Sequence, residues 1–178
     1  MSKPKKTLTN DSRKLVSTTG NYWLVKSEPM VFSIDDLIKV PRQVTCWDGV
    51  RNYQARNILR DEMQVGDLAL FHHSNAKPPA VVGVVQIARA GYPDHTAFDP
   101  ENEHYDAKSH RAKPTWYMVD VKFVLKFAKP LSIQDLKQLP ELNKMMLLQR
   151  GSRLSVQPVR PAEFAVIVQA GCPIQHSK

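Results

Sequence analysis

Thirteen residues, Thr45 to Asn57 (TCWDGVRNYQARN), hold two aromatic rings, two arginines and three side-chain amides. A flat ring such as Trp47 offers a stacking face, Asn52, Gln54 and Asn57 offer paired donors and acceptors, and Arg51 and Arg56 offer rigid forks for phosphate or carboxylate. With Tyr53 among them, the set suits a planar, polar, anionic ligand such as a nucleotide. The same residues also read as a core tryptophan ahead of a solvated helix start. Trp47 directly precedes the turn pair Asp48-Gly49, where a ring can face a groove, and Asn52 and Gln54 either meet a base edge or simply cap the helix.

A second group, His72, His73, Ser74 and Asn75, closes an apolar stretch that reads as a strand. Alternation sends His72 and His73 to opposite faces, and a serine one residue beyond a histidine in extended chain points away from it. No GxSxG turn presents Ser74 as a nucleophile, so polar pocket lining is favoured over a catalytic role. Which histidine turns inward is not decided by the sequence. Arg150, Ser152, Arg153 and Ser155 cluster around Gly151, where two guanidinium forks suit phosphate or a carboxylate equally. One of these arginines is expected to anchor Glu28 or Asp48 and the other to face the ligand. The loop carrying Asp94, His95, Asp99, His104 and Asp106 lacks the spacing of a zinc or calcium motif, and no metal or cofactor is assigned. P-loop and GxGxxG motifs are absent, so nucleotide hydrolysis and hydride transfer lack their parts.

Five words in series, YWLVKSEP (Tyr22 to Pro29), the Thr45 to Asn57 segment, VGDLALFHHSN (Val65 to Asn75), WYMVDVKFV (Trp116 to Val124) and RGSRLSVQPV (Arg150 to Val159), resemble the EVE domain. That family is similar to the PUA and YTH modules. The resemblance covers roughly Asn21 to Gln169. It implies a compact barrel-like module that binds nucleic acid and accepts a modified base in an aromatic pocket. In the similar YTH module an aromatic at the strand end corresponding to Trp47 forms part of the base cage, and the resemblance places the HSN word near that pocket. The nominated binding residues are Lys26, Ser27, Trp47, Asn52, Tyr53, Gln54, His73, Ser74, Asn75, Arg150, Arg153 and Ser155, with no catalytic residue. The rival reading is an enzyme acting on nucleic acid or a small nucleotide through the His72/His73 region.

These groups must be positioned by short elements. Tyr22 to Val25 reads as a buried strand that leaves Lys26 and Ser27 at its end. Ser33 with an acid three residues on predicts a capping box and a short helix ending before Pro41. Val44 to Trp47 reads as extended, and Tyr53 to Met63 as a helix with Ala55, Ile58, Leu59 and Met63 inward. LALFHH and AVVGVVQIA are expected to pair as a hairpin, and Tyr92 to Pro114 reads as an irregular excursion or lid. The alternation from Tyr117 to Phe127 predicts a half-buried strand. A second capping pattern at Ser132, a strand in RLSVQPV and a helix from Pro161 through Val168 complete the reading. Without βαβ alternation, a doubly wound fold is excluded. The expected class is α+β, a PUA-like small mixed β-barrel or strongly curved sheet with short helices packed around it.

The 178 residues, 42% hydrophobic and 24% charged, fit one domain that can fold without disulfides or metal. Cys46 and Cys172 read as free thiols in a reducing compartment, nucleus or cytoplasm. No apolar run approaches the ~20 residues needed to span a membrane. Of the formal net charge of +8, half lies in the first twenty residues, where Lys3, Lys5, Lys6, Arg13 and Lys14 face Asp11 alone. Residues 1–20 are therefore expected to be a disordered basic tail, 21–170 the domain and 171–178 a short C-terminal tail. The basic excess favours an anionic partner, and the resemblance implies that this partner carries a modified base, such as 5-methylcytosine or 5-hydroxymethylcytosine in DNA, or a base in RNA, with a monomer favoured.

Overall fold

The computed structural model describes residues 20–172, so the expected basic tail lies outside the described residues. Six strands form one mixed sheet: β1 (Tyr22–Ser27), β2 (Val44–Trp47), β3 (Leu68–His73), β4 (Ala80–Pro93), β5 (Tyr117–Ser132) and β6 (Val156–Val159), in the order β2-β5-β4-β3-β1-β6. Four short helices decorate it: α1 (Ile34–Lys39), α2 (Tyr53–Asn57), α3 (Ile133–Lys137) and α4 (Pro161–Gly171). The sheet is not closed, so of the two forms expected the strongly curved sheet is the one adopted. Among the described residues, no helix is long and apolar enough to cross a membrane.

The local signals act where the chain needs them. Ser33 accepts from the Asp36 N–H at 3.1 Å while the Asp36 carboxylate accepts from the Ser33 N–H at 2.9 Å, and Ser132 and Asp135 repeat the arrangement at α3. Each box satisfies otherwise orphaned N–H groups at a helix start. The predicted helix from Tyr53 to Met63 is instead α2 followed by a single π turn, Ile58–Glu62. Its inward set is nevertheless right, since Ala55, Ile58, Leu59 and Met63 are all buried. The excursion expected over Tyr92 to Pro114 spans residues 94–116 instead, because β4 runs on to Pro93, paired with Tyr117 of β5. α4 continues past Val168 to Gly171.

Curvature positions the site. Trp47 on β2 and Phe71 on β3 are separated by β5 and β4, three strand spacings or roughly 14 Å in a flat sheet. Their ring centroids lie 5.3 Å apart, edge to face, so the sheet curls around the cluster that holds them. Bulges between Phe71 and His72, Val81 and Gly83, Val84 and Val85, and Ile87 and Arg89 supply the bend. At Gly83 an added Cβ would sit 2.3 Å from the Leu125 carbonyl oxygen and 2.4 Å from Ile34 Cδ1, so the tight bend requires glycine there. One cluster, with Trp23, Val25, Trp47, Phe71 and Val121, fills the concave side. A second, with Leu24, Leu70, Val84 and Phe164, lies against α3 and α4.

Candidate nucleic-acid interface

β1 and β3 are parallel, with Lys26 opposite His72 and Ser27 opposite His73, so both strands end at the same edge of the molecule. β6 runs antiparallel to β1 and begins at that edge, where the Lys26 N–H donates to the Ser155 carbonyl at 2.9 Å. The Ser74 N–H donates to the Ser27 carbonyl at 2.9 Å. Three words far apart in sequence, KSEP, HHSN and RGSRLS, therefore meet at one corner.

On the concave side of this corner, the ring of His73 lies edge-on to Phe71, which in turn meets Trp47. His73 Nε2 accepts from the Ile34 N–H at 3.1 Å, so in the neutral ring the proton sits on Nδ1, leaving a donor. Burial lowers the His73 pKa, with Lys126 also opposing protonation and Asp35 and Asp36 favouring it. Ser27 Oγ donates to the Phe32 carbonyl at 2.6 Å, and Asn75 Nδ2 donates to Glu28 Oε2 at 3.1 Å. Trp47 is only 7% exposed, so the open stacking platform expected from its place before a glycine turn is not present. The concave sheet draws the ring into the core, where its edge contact with Phe71 replaces water.

On the opposite face, His72 is 3% exposed and neither ring nitrogen has a partner among the described residues. Burial, with Lys26 and His73 nearby, pushes its pKa down to about 4. Unfolded, the ring would titrate near 6.5, so between pH 6.5 and 4 the unfolded chain binds a proton that the folded chain refuses. Stability is thus expected to fall as pH drops through that window, by up to about 3 kcal/mol, and this group adds no further loss below it. Urea unfolding at pH 7, 5 and 4 checks this, and His72→Leu should flatten the slope. An identical slope in the variant would show that other groups carry the acid sensitivity.

The Arg150 to Ser155 loop is held from beneath. Lys26 Nζ donates to the Ser152 carbonyl at 3.3 Å, and buried Gln157 donates through Nε2 to Ser152 Oγ and the Leu154 carbonyl, both at 2.9 Å. Gly151 turns the loop with φ +78°. Arg150 and Arg153 stand exposed and form no ion pair among the described residues. This corrects the expectation that one of them anchors Glu28 or Asp48: Glu28 is taken by Asn75, and Asp48 Oδ2 accepts from Cys46 Sγ at 3.3 Å. Among the described residues both forks are thus left without a carboxylate.

Asn52, Tyr53 and Gln54 form a separate group. Asn52 caps α2, its Oδ1 accepting from the Ala55 N–H at 3.0 Å, and Gln54 is exposed. Tyr53, 62% exposed, stacks on buried Trp116 at 5.0 Å and 29°, with the Arg56 guanidinium 5.1 Å from its centroid. Sequence reasoning missed Trp116 as the backing of this plate, since its place in a strand word marks it only as core. It also missed the role of Arg51, which binds Asp94 Oδ2 at 2.7 Å, Thr96 Oγ1 at 3.0 Å and the His104 carbonyl at 2.8 Å. Burial alone would raise the Asp94 pKa, but Arg51, Thr96 and the Gly49 N–H outweigh it and hold the carboxyl low. Asp106 accepts from the Trp116 indole at 2.7 Å, so the acids of this loop serve as structural acceptors. A cleft of about 360 Å³ opens under the β3–β4 loop, and of the nominated residues it contains His73 alone.

Comparison with known proteins bears on the family and the fold. Thymocyte nuclear protein 1 from mouse is 46% identical over 165 residues, spanning 84% of this chain and 73% of that protein. The human thymocyte nuclear protein 1, solved in complex with 5-methylcytosine-containing DNA, superposes with a TM-score of 0.81 at 42% identity, covering 85% of this chain and 98% of that one. A Pseudomonas putida protein superposes at 0.78 with 50% identity, over 83% and 97% of the two chains. The YTH domain of the Zygosaccharomyces rouxii MRB1 protein, in complex with N6-methyladenosine RNA, shares the fold at a TM-score of 0.52 and 14% identity, over 90% and 89%. The EVE domain model matches residues 21–170, and with the curved sheet, the meeting of KSEP with HHSN and relatives above 40% identity, this chain belongs to the EVE domain family.

Proposed function

We propose that this protein is a non-enzymatic nucleic-acid reader that holds one modified base at the corner where β1, β3 and β6 meet. The observation that supports the reading is the meeting at one corner of the loop that bears Arg150 and Arg153, neither ion-paired among the described residues, with the strand ends that bear Ser27, His73, Ser74 and Asn75. A neutral His73 Nδ1–H suits a carbonyl of a base, and the arginines suit the backbone phosphates. Trp47 serves in this reading as the enclosed wall of the pocket, reached through Phe71 from the His73 ring. The similarity to a human protein solved with 5-methylcytosine DNA favours a methylated cytosine as ligand, 5-hydroxymethylcytosine or an RNA base being the alternatives in a binding panel. The nuclear name of the relatives supports a nuclear site of action.

The rival, chemistry through the histidines, is disfavoured by their states. His72 is enclosed with no hydrogen-bond partner among the described residues, and His73 has its Nε2 lone pair engaged by a backbone N–H, so neither presents a free base beside a nucleophile.

The test is affinity across modified and unmodified oligonucleotides, with mass spectrometry of the nucleosides after prolonged incubation. Preference for one modification without product supports the reader, whereas repeated turnover per protein molecule would overturn it. Arg150→Ala and Arg153→Ala are each expected to weaken binding to all sequences alike and to lower the salt slope by about one unit, because each fork releases a counterion without reading a base. An unchanged slope in both variants would remove the loop from the interface.

A further inference from the structure

The turn between β1 and α1 carries an unexplained feature. Met30 is 94% exposed and Val31 75%, the two most exposed large apolar side chains among the described residues, and they are adjacent. Single exposed apolar residues are ordinary on a protein surface, but here the backbone beneath the pair is pinned on every side by the candidate site. The Val31 and Phe32 N–H groups both donate to the Glu28 carbonyl at 2.9 Å. Ser27 holds the Phe32 carbonyl, Asn75 holds the Glu28 side chain, and His73 holds the Ile34 N–H. Phe32 packs inward against the core cluster, so the segment's other large apolar residue is used as an anchor. Pro29 to Phe32 carries no charge. The result is a fixed, uncharged, apolar tip that projects from the rim of the base-binding corner.

We propose that Met30 and Val31 form a wedge that enters the base stack at the position vacated by the bound nucleotide. The proposal rests on the reading function above, with duplex DNA as the partner. Lifting a base out of a duplex leaves a gap and two unstacked faces, at a cost of a few kcal/mol. Proteins that open base steps fill them with apolar side chains such as Met, Leu, Ile and Phe, which exclude water from the exposed faces. Such a group has to be apolar, to stand clear of the surface, to rest on a fixed backbone and to lie beside the base pocket. Met30 and Val31 meet all four conditions, and Arg150 and Arg153 at the same corner supply phosphate contacts that would hold the backbone in place.

The test uses the full chain and the double variant Met30→Ser/Val31→Ser, whose exposed positions leave the core untouched. Binding is measured to a duplex with one central 5-methylcytosine, to the same strand alone, and to the unmodified forms of both. The wedge predicts that the variant loses at least about tenfold in affinity for the modified duplex and stays within about twofold of wild type on the single strand, where no stack needs filling. A 2-aminopurine placed beside the modified cytosine should brighten on binding wild type less than on binding the variant, since the wedge restacks it. Equal duplex affinity of variant and wild type would overturn the wedge and leave the reader intact. So would an equal loss on duplex and single strand, which would mark a general contact, or wild-type selectivity confined to single strands. Wild type binding modified and unmodified DNA alike, in both forms, would overturn the reading function and the wedge with it.

Discussion

Trp47→Ala is expected to cost about 3–5 kcal/mol of folding stability, read as a lower urea midpoint at unchanged slope. The ring is buried in the concave cluster and meets Phe71 edge-on at 5.3 Å. Truncation removes the contact that links β2 to β3 across the curl of the sheet, and the surrounding strands cannot close the space without flattening. Lost binding by this variant would therefore say nothing about base recognition. Trp47→Phe keeps an aromatic wall and most of the packing, so it is the variant that tests the pocket. A folded Trp47→Phe protein that keeps most of its oligonucleotide affinity, beside a folded Trp47→Leu protein that loses about 1–3 kcal/mol of it, would fit a stacking role. Unchanged affinity in both would leave Trp47 as core alone. A wild-type urea midpoint for Trp47→Ala would contradict the packing described here.

Arg51→Met should be comparably severe, with a loss of about 3–5 kcal/mol, because it leaves the Asp94 carboxylate in the interior without its cation. Asp94 is 0% exposed, and Arg51 also ties down Thr96 and the His104 carbonyl, so one side chain fastens the whole excursion after β4 to the turn before α2. Gly49 adds to the same joint: its φ is +72°, and an added Cβ would lie 2.5 Å from the His104 ring. Rapid proteolytic cleavage within residues 94–106 should accompany the loss of stability in the variant. A loss below about 1 kcal/mol would show that the Gly49 and Thr96 donors satisfy Asp94 without the arginine.

Arg51 illustrates where sequence reading stops. Its type and spacing mark it as a fork for an anion, and it does bind one, but the anion is a carboxylate 43 residues away in the protein's own chain. Nothing local distinguishes a fork used inside from one used outside. Arg150 and Arg153 show the converse: expected to divide between structure and ligand, neither forms an ion pair among the described residues, while Glu28 and Asp48 are bonded to Asn75 and Cys46. Trp47 and Tyr53, nominated together, part company: the ring beside the glycine turn goes inside, and the ring at the helix start stays out on Trp116.

What the sequence by itself determined is what short-range physics governs. Capping boxes at Ser33 and Ser132 satisfy helix N–H groups within four residues, alternation from Tyr117 assigns faces two residues at a time, and five ordered words identify the family. The opposed directions of His72 and His73 follow from the pleat alone, but which of them is enclosed depends on which face of β3 meets α3 and α4. Tertiary structure decided that, together with the curl that buries Trp47, the parallel pairing of β1 with β3 that brings KSEP to HHSN, and the support of the arginine loop by Lys26 and Gln157. Each of these depends on contacts between residues tens of positions apart, whose geometry is set by sheet order and curvature, and neither is written in any single stretch of chain.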